Sequence, residues 1–284
     1  MYVFFRIFRR GILIATRSKK TWGFAVSLAI MTVLAIYSMN NIYTLRTDRL
    51  LDLRGYILEP KGVMTFEDFK ATEVYKQLDR VEEYARGIYF VCGSVISLSP
   101  ATRLGIVWVE SYDKDTEYTE ELPWIVSEVK PTKIAEGRML DFSELEAIVG
   151  REFSLKFSVD DTNITVILDR GSIVFEASRS VKVDIVGRSA EDFSKFADKL
   201  LGIPKSSILF VTNEVYGELK EADVAGTETK YILRIIVTAD GGDFEFDKVD
   251  KNRRRIKDIL GKAKGNEFDE QLPEWISSTE YSSC

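Results

Sequence analysis

The 284-residue sequence contains no histidine. That absence removes the commonest general base, the commonest metal ligand and every Ser-His-Asp arrangement at once. Gly-x-Ser-x-Gly, Cys-x-x-Cys and the phosphate-cradling Gly-x-x-x-x-Gly-Lys are missing too. The scattered Ser, Lys and Asp residues show no spacing that singles out a site. No catalytic, cofactor-binding or metal-ligating residue is therefore assigned, and the chain is not read as an enzyme. Cysteine is scarce: Cys92 lies in an apolar run and reads as a small buried hydrophobe, and Cys284 is the last residue. Two such residues make no disulfide framework. No low-complexity tract interrupts the chain, and 45% hydrophobic with 30% charged residues is the composition of a folded protein.

Acidic residues are missing from positions 1–47, which carry Arg6, Arg9, Arg10, Arg17, Lys19, Lys20 and Arg46. The remainder holds 32 basic against 45 acidic side chains, a balance of −13. Phosphate binding needs a basic face, so this acidic body argues against nucleic acid as a partner.

Between Trp22 and Met39 the run WGFAVSLAIMTVLAIYSM carries no charge over 18 residues. At 1.5 Å per residue a helix of that length spans about 27 Å, close to the ~30 Å hydrocarbon core of a bilayer. Trp22 and Tyr37 stand near its ends, where amphipathic rings favour the headgroup level. The expectation is a transmembrane helix over 21–40, continuing as a stalk to about 54. Most early basic residues precede it, which places the N-terminus in the cytoplasm and the rest outside the cell membrane. On a helical projection, Arg6, Arg9, Arg10 and Arg17 fall within about a 100° arc, with apolar residues filling most of the remaining circumference. Residues 1–20 thus read as a basic amphipathic helix in the membrane surface, its arginines facing headgroups or a cytosolic partner.

Beyond Pro60-Lys61-Gly62, Thr65 and Asp68 have the spacing of a capping box opening a helix over 66–78. Residues 87–95 and 104–109 read as strands, and ESYDKDTEYTEE at 110–121 as a solvated acidic loop. Asp141 or Ser143 is a candidate cap for a short helix, followed by a strand at 147–149. Short strands are predicted at 153–159, 163–168, 172–177 and 181–187, and a helix over 190–201. Then come a strand at 207–212, a helix at 213–221, a strand at 230–238 and a helix at 246–260, whose Arg253-Arg254-Arg255 reads as a solvated face. Asn163-Ile164-Thr165 is an N-glycosylation acceptor triplet on the predicted outer side.

Several segments, in order, resemble MacB/FtsX-type ABC-transporter permeases. They are the basic N-terminal helix and span, Gly137-Arg138 before a short acidic stretch and Val149-Gly150, then Val186-Gly187, then Leu209 to Leu219 and the KYILRIIV strand. The resemblance implies an α+β fold: one N-terminal transmembrane helix, then a bilobed MacB-like periplasmic core domain at 55–264. Its β-rich lobe would be 136–189, with 265–284 as a tail. It also implies mechanical coupling of a cytosolic ABC ATPase to outer-domain movement. The partners expected are the lipid bilayer, that ATPase and further permease helices, with room for a homo- or hetero-dimer. Such permeases carry three more spans after the outer domain, and these 284 residues do not, so the chain is read as a subunit or fragment. The alternative is a single-pass surface receptor or adhesion module.

Overall fold

The computed structural model of the protein describes residues 30–37, 54–99, 102–113, 134–141, 143–154, 165–169, 171–191, 193–224, 229–242 and 245–271. The chain divides into two units, Met1–Leu50 and Leu51–Cys284. In the first, residues 30–37 are helical and every one of them is exposed. Ile30, Met31, Val33, Leu34, Ile36 and Tyr37 each leave between 53% and 67% of their surface open. No helix among the described residues is long and apolar enough to cross a membrane. Most of the 21–40 span, together with Arg6, Arg9, Arg10, Arg17 and Asn163, lies outside the described residues.

The second unit is a mixed α/β fold on one eleven-stranded sheet. Its elements in order are β1 (Gly55–Pro60), α1 (Phe66–Ala71), α2 (Glu73–Lys76), α3 (Leu78–Glu82), β2 (Ala85–Ser99), β3 (Thr102–Ser111), β4 (Ile134–Gly137) and β5 (Glu146–Val149). There follow β6 (Thr165–Asp169), β7 (Ser172–Glu176), β8 (Ser180–Ser189), α4 (Ser194–Ala197) and β9 (Ile208–Val211). The last are α5 (Asn213–Glu221), β10 (Tyr231–Ala239), α6 (Phe246–Ala263) and β11 (Phe268–Gln271). The strand order is β11-β1-β10-β2-β3-β9-β5-β8-β7-β6, with β4 paired to β8. Two junctions are parallel, β3 with β9 and β5 with β8.

Alternation along the central strands feeds two cores. Ile88, Phe90 and Cys92 of β2 join Leu104, Ile106 and Trp108 of β3 on one face. Tyr89, Val91 and Val95 join Val107 and Val109 on the other. Because both faces are buried, these strands read as continuous apolar runs. The first face is covered by Phe69, Val74, Leu78 and Val81 of α1–α3, Val215 and Leu219 of α5, and Val249, Ile256 and Leu260 of α6. The second is covered by Phe193, Phe196, Leu200 and Ile203, around α4 and the 3-10 turn Asp198–Leu200. Leu200 sits where a Cβ on Gly93 would come within 2.6 Å of it, so two adjacent strands leave a notch that the leucine fills.

Several sequence expectations are corrected. The helix expected at 66–78 is three short ones: Thr65 and Asp68 do form a capping box, but Thr72 then caps α2 anew. Residues 143–145 form a turn and bends instead of the short helix, and the Glu146 carboxylate accepts from the Asp141 amide at 2.8 Å. The 190–201 helix shrinks to α4 and a 3-10 turn ending in left-handed Leu201. Strands from 136–189, expected as a lobe of their own, hydrogen-bond into the common sheet through β5 and β9. Phe268–Gln271, read as tail, pairs with β1 because Phe268 buries its ring against Phe69.

The chain joins this unit at Arg54, whose Nη2 donates to the Gly241 carbonyl at 3.1 Å, and Arg253 Nε donates to the Gly55 carbonyl at 3.3 Å. Phe69 is fully buried, with Phe66, Tyr75, Phe90 and Phe268 ringed around it. Phe69→Ala should lower stability by about 3–5 kcal/mol, read as a shifted urea midpoint with unchanged slope.

Candidate functional site

Three polar clusters interrupt the apolar cores. The first gathers the segments that carry the family resemblance. β4 and β8 place Gly137 opposite Gly187, and the Arg138 amide donates to the Val186 carbonyl at 2.9 Å. Gly137 has φ of +80°, and a Cβ there would overlap the Val186 carbonyl oxygen. Arg138 donates Nη1 to Glu146 Oε2 at 2.8 Å and Nη2 to Oε1, a two-pronged pair that stitches the 138–146 loop onto β5. Val149 faces Arg188 of β8 on one side and Leu209 of β9 on the other. Residues 137–150, 186–187 and 209–211 are therefore one hydrogen-bonded module.

The second cluster lies on the α1/α5/α6 side. Trp108 Nε1 donates to Glu110 Oε1 at 2.9 Å, and Lys230 Nζ stands 2.6 Å from Glu110 Oε2 and 3.7 Å above the Phe66 ring. Glu110, read from the sequence as the start of the acidic loop, lies within β3, where these two donors hold it. Tyr216 stacks on Trp108 at 3.7 Å. Burial, with the Glu110 carboxylate adding, pushes the Tyr216 hydroxyl up to about 12. The same two causes push the buried Cys92 thiol up, and its side chain packs in the core on that face.

The third cluster is ionic and sits on the other face. On β10, Ile232 pairs with Cys92 and Arg234 with Val91, so one extra residue bulges out of the strand. The bulge puts Arg234 beside Leu233 on the α4 side, its guanidinium 5.6 Å from the Phe196 ring centroid. Arg234 Nε donates to Glu59 Oε1 at 2.7 Å, and its Nη2 pairs with the same oxygen. Lys199 Nζ donates to Glu59 Oε2 at 2.8 Å and to the Leu233 carbonyl at 3.1 Å. Burial raises the Glu59 carboxyl, but the opposing pull of Arg234 and then Lys199 wins and leaves it below its ordinary 4.5.

No group of His, Cys, Asp and Glu among the described residues could hold a metal ion. The sequence-based candidates Arg6, Arg9, Arg10, Arg17 and Asn163 fall outside the described residues. The ionic cluster was missed in the sequence, although it leaves a trace there: Arg234 is the one charge inside KYILRIIV after its first lysine, and Glu59 ends YILE.

No protein-family model matches the chain, and no curated protein matches it. Among solved structures it is similar to the extracellular domain of YknZ, a noncanonic ABC-type transporter from Gram-positive bacteria. The likeness is coarse. The two share 11% identity over 76% of this chain and 99% of that one, with a TM-score of 0.31.

The ionic cluster generates a pH test. A carboxylate with a depressed folded-state pKa contributes stability that is present above its unfolded value and lost as pH falls toward the folded one. Wild-type stability should therefore fall as pH drops below about 4.5. Glu59→Gln should be less stable at pH 7 by about 3–5 kcal/mol, the usual cost of unpairing buried charge, and should lack this share of the acid slope. Denaturant midpoints between pH 3 and 7 measure both.

Proposed function

We propose that the chain is a membrane-anchored extracytoplasmic subunit or fragment of a MacB/FtsX-type ABC permease, coupling a cytosolic ATPase to movement of its outer domain. The observation that carries this reading is the convergence of the resembling segments. Gly137-Arg138, Val149-Gly150, Val186-Gly187 and the start of the 209–219 stretch are distant in sequence, yet they build one module of β4, β8, β5 and β9. A chance scatter of short motifs has no reason to meet in space. The exposed apolar helix at 30–37 supports the anchoring part. Apolar surface exposed on all sides of a helix calls for lipid or partner helices rather than water.

Two experiments test the reading. Affinity purification from detergent-solubilised membranes should recover an ABC ATPase and helices supplying further spans, and Ala replacements at Arg6, Arg9, Arg10 and Arg17 should lose the ATPase. Repeated recovery of the chain alone would sink the proposal. For topology, the two cysteines are a built-in probe, since Cys92 is buried. A membrane-impermeant maleimide should label Cys284 in intact cells whose outer barrier, if any, is opened. Labelling only after the cytoplasmic membrane is broken would reverse the orientation.

A further inference from the structure

Helix α6 is basic in an otherwise acidic body. It holds seven basic and three acidic side chains, while the chain after residue 47 holds 32 basic against 45 acidic. Its buried positions Val249, Ile256 and Leu260 mark the inner face, and Lys251, Arg255 and Lys262, spaced by four and seven, stand exposed on the opposite one. The other cations of the helix have partners. Arg253 donates to the Gly55 carbonyl, Arg254 pairs with Asp250 at 2.7 Å, Lys257 with Glu270 at 2.6 Å, and Lys248 lies 3.4 Å from Asp240. Among the described residues Lys251, Arg255 and Lys262 form no ion pair. The Arg255 guanidinium rests 4.9 Å from the Tyr84 ring centroid, and the exposed Asp258 stands among the three cations and leaves their stripe net positive. The helix also borders the point where the chain enters the second unit. Besides the Arg253 bond to Gly55, Asn252 donates to the Asp240 carbonyl at 2.9 Å, and Arg54 holds the adjoining Gly241. Between Met39, the last residue of the apolar run, and Gly55 lie 15 residues, which reach at most about 50 Å when fully extended.

We propose that the outer face of α6, through Lys251, Arg255 and Lys262, docks on the anionic headgroups of the bilayer in which the chain is anchored. The proposal rests on the anchoring part of the reading above and adds a second, electrostatic attachment to it. An anionic lipid surface repels the acidic remainder of the unit, so a local basic face decides which side turns toward it. The chemistry matches on both sides: the planar guanidinium takes phosphate oxygens in pairs, and the two lysines supply point charges on long stems that reach a headgroup layer. Each such cation near an anionic membrane strengthens association about fivefold.

The test reconstitutes the full-length protein into vesicles of phosphatidylcholine, alone or mixed with phosphatidylglycerol, and maps lysine reactivity with a membrane-impermeant acetylating reagent and mass spectrometry. Lys251 and Lys262 should react about fivefold more slowly in the anionic vesicles, and the difference should vanish at about 1 M salt, where the screening length falls to about 3 Å. Lys76, Lys182 and Lys220, exposed on other elements, should react alike in both lipids. Arg255→Glu, at an exposed position, keeps both lysine probes and should abolish the difference between lipids. Equal labelling of Lys251 and Lys262 in the two lipids overturns the proposal, whether both are open or both are covered by a protein partner, and so does slowing shared by the three control lysines. Flotation with pure phosphatidylcholine vesicles in high salt tests the anchor separately. If the protein does not float, the anchoring reading fails, and added phosphatidylglycerol vesicles then decide on α6 alone: recruitment of the wild type but not of Arg255→Glu supports the basic face, and no recruitment overturns it.

Discussion

Burial of the central strands β2, β3 and β10 on both faces is the constraint on which the second unit depends. The middles of β2 and β3 and the whole of β10 are buried on both sides, so neither face of these stretches can be given to water. The covers are unequal. One face carries the 18-residue α6 together with α1–α3 and α5, whereas the described cover of the other is a few short turns pinned by Phe193, Phe196, Leu200 and Ile203. The thinner cover needs side-chain precision. Leu200 filling the notch at Gly93 and Gly105 supplies it, and so does Lys199 reaching Glu59.

Buried charge is placed where strand regularity fails. The β10 bulge is the irregularity that lets Arg234 share a face with Leu233, and the carboxylate it meets is delivered by the neighbouring β1. The same logic holds at Glu146, where Arg138 closes a loop on a buried carboxylate and displaces the short helix that Asp141 or Ser143 would have capped. Asp141 still accepts locally from the Ser143 amide at 3.1 Å, while its own amide and Arg138 go to Glu146. At Thr65 the capping box forms in full, and among the described residues no other partner competes for the Asp68 carboxylate.

How far the sequence could be read depended on the range of the forces involved. The runs around Val91, Ile106 and Ile235 announced strands, and Asn213 the start of α5, since those signals are local. The short acidic stretch before Val149 was visible, but not that its Glu146 would clasp Arg138. The pairing in the ionic cluster could not be read for the same reason: Arg234 and Glu59 each stand out as a charge beside an apolar run, but they are 175 positions apart and no local periodicity links them.

By itself the sequence determined the apolar run at 22–39, the asymmetry of charge around it, the absence of histidine and many of the strands and helices of the second unit. These follow from composition and from side-chain periods of two and 3.6 residues, which are properties of neighbouring positions. Only the tertiary structure decided that the strands of 136–189 join one continuous sheet with the rest and that the resembling segments meet. It alone brought two cations to one carboxylate. Those outcomes depend on which strands pair across long loops, a choice made by the burial of both faces together and not written in any single stretch.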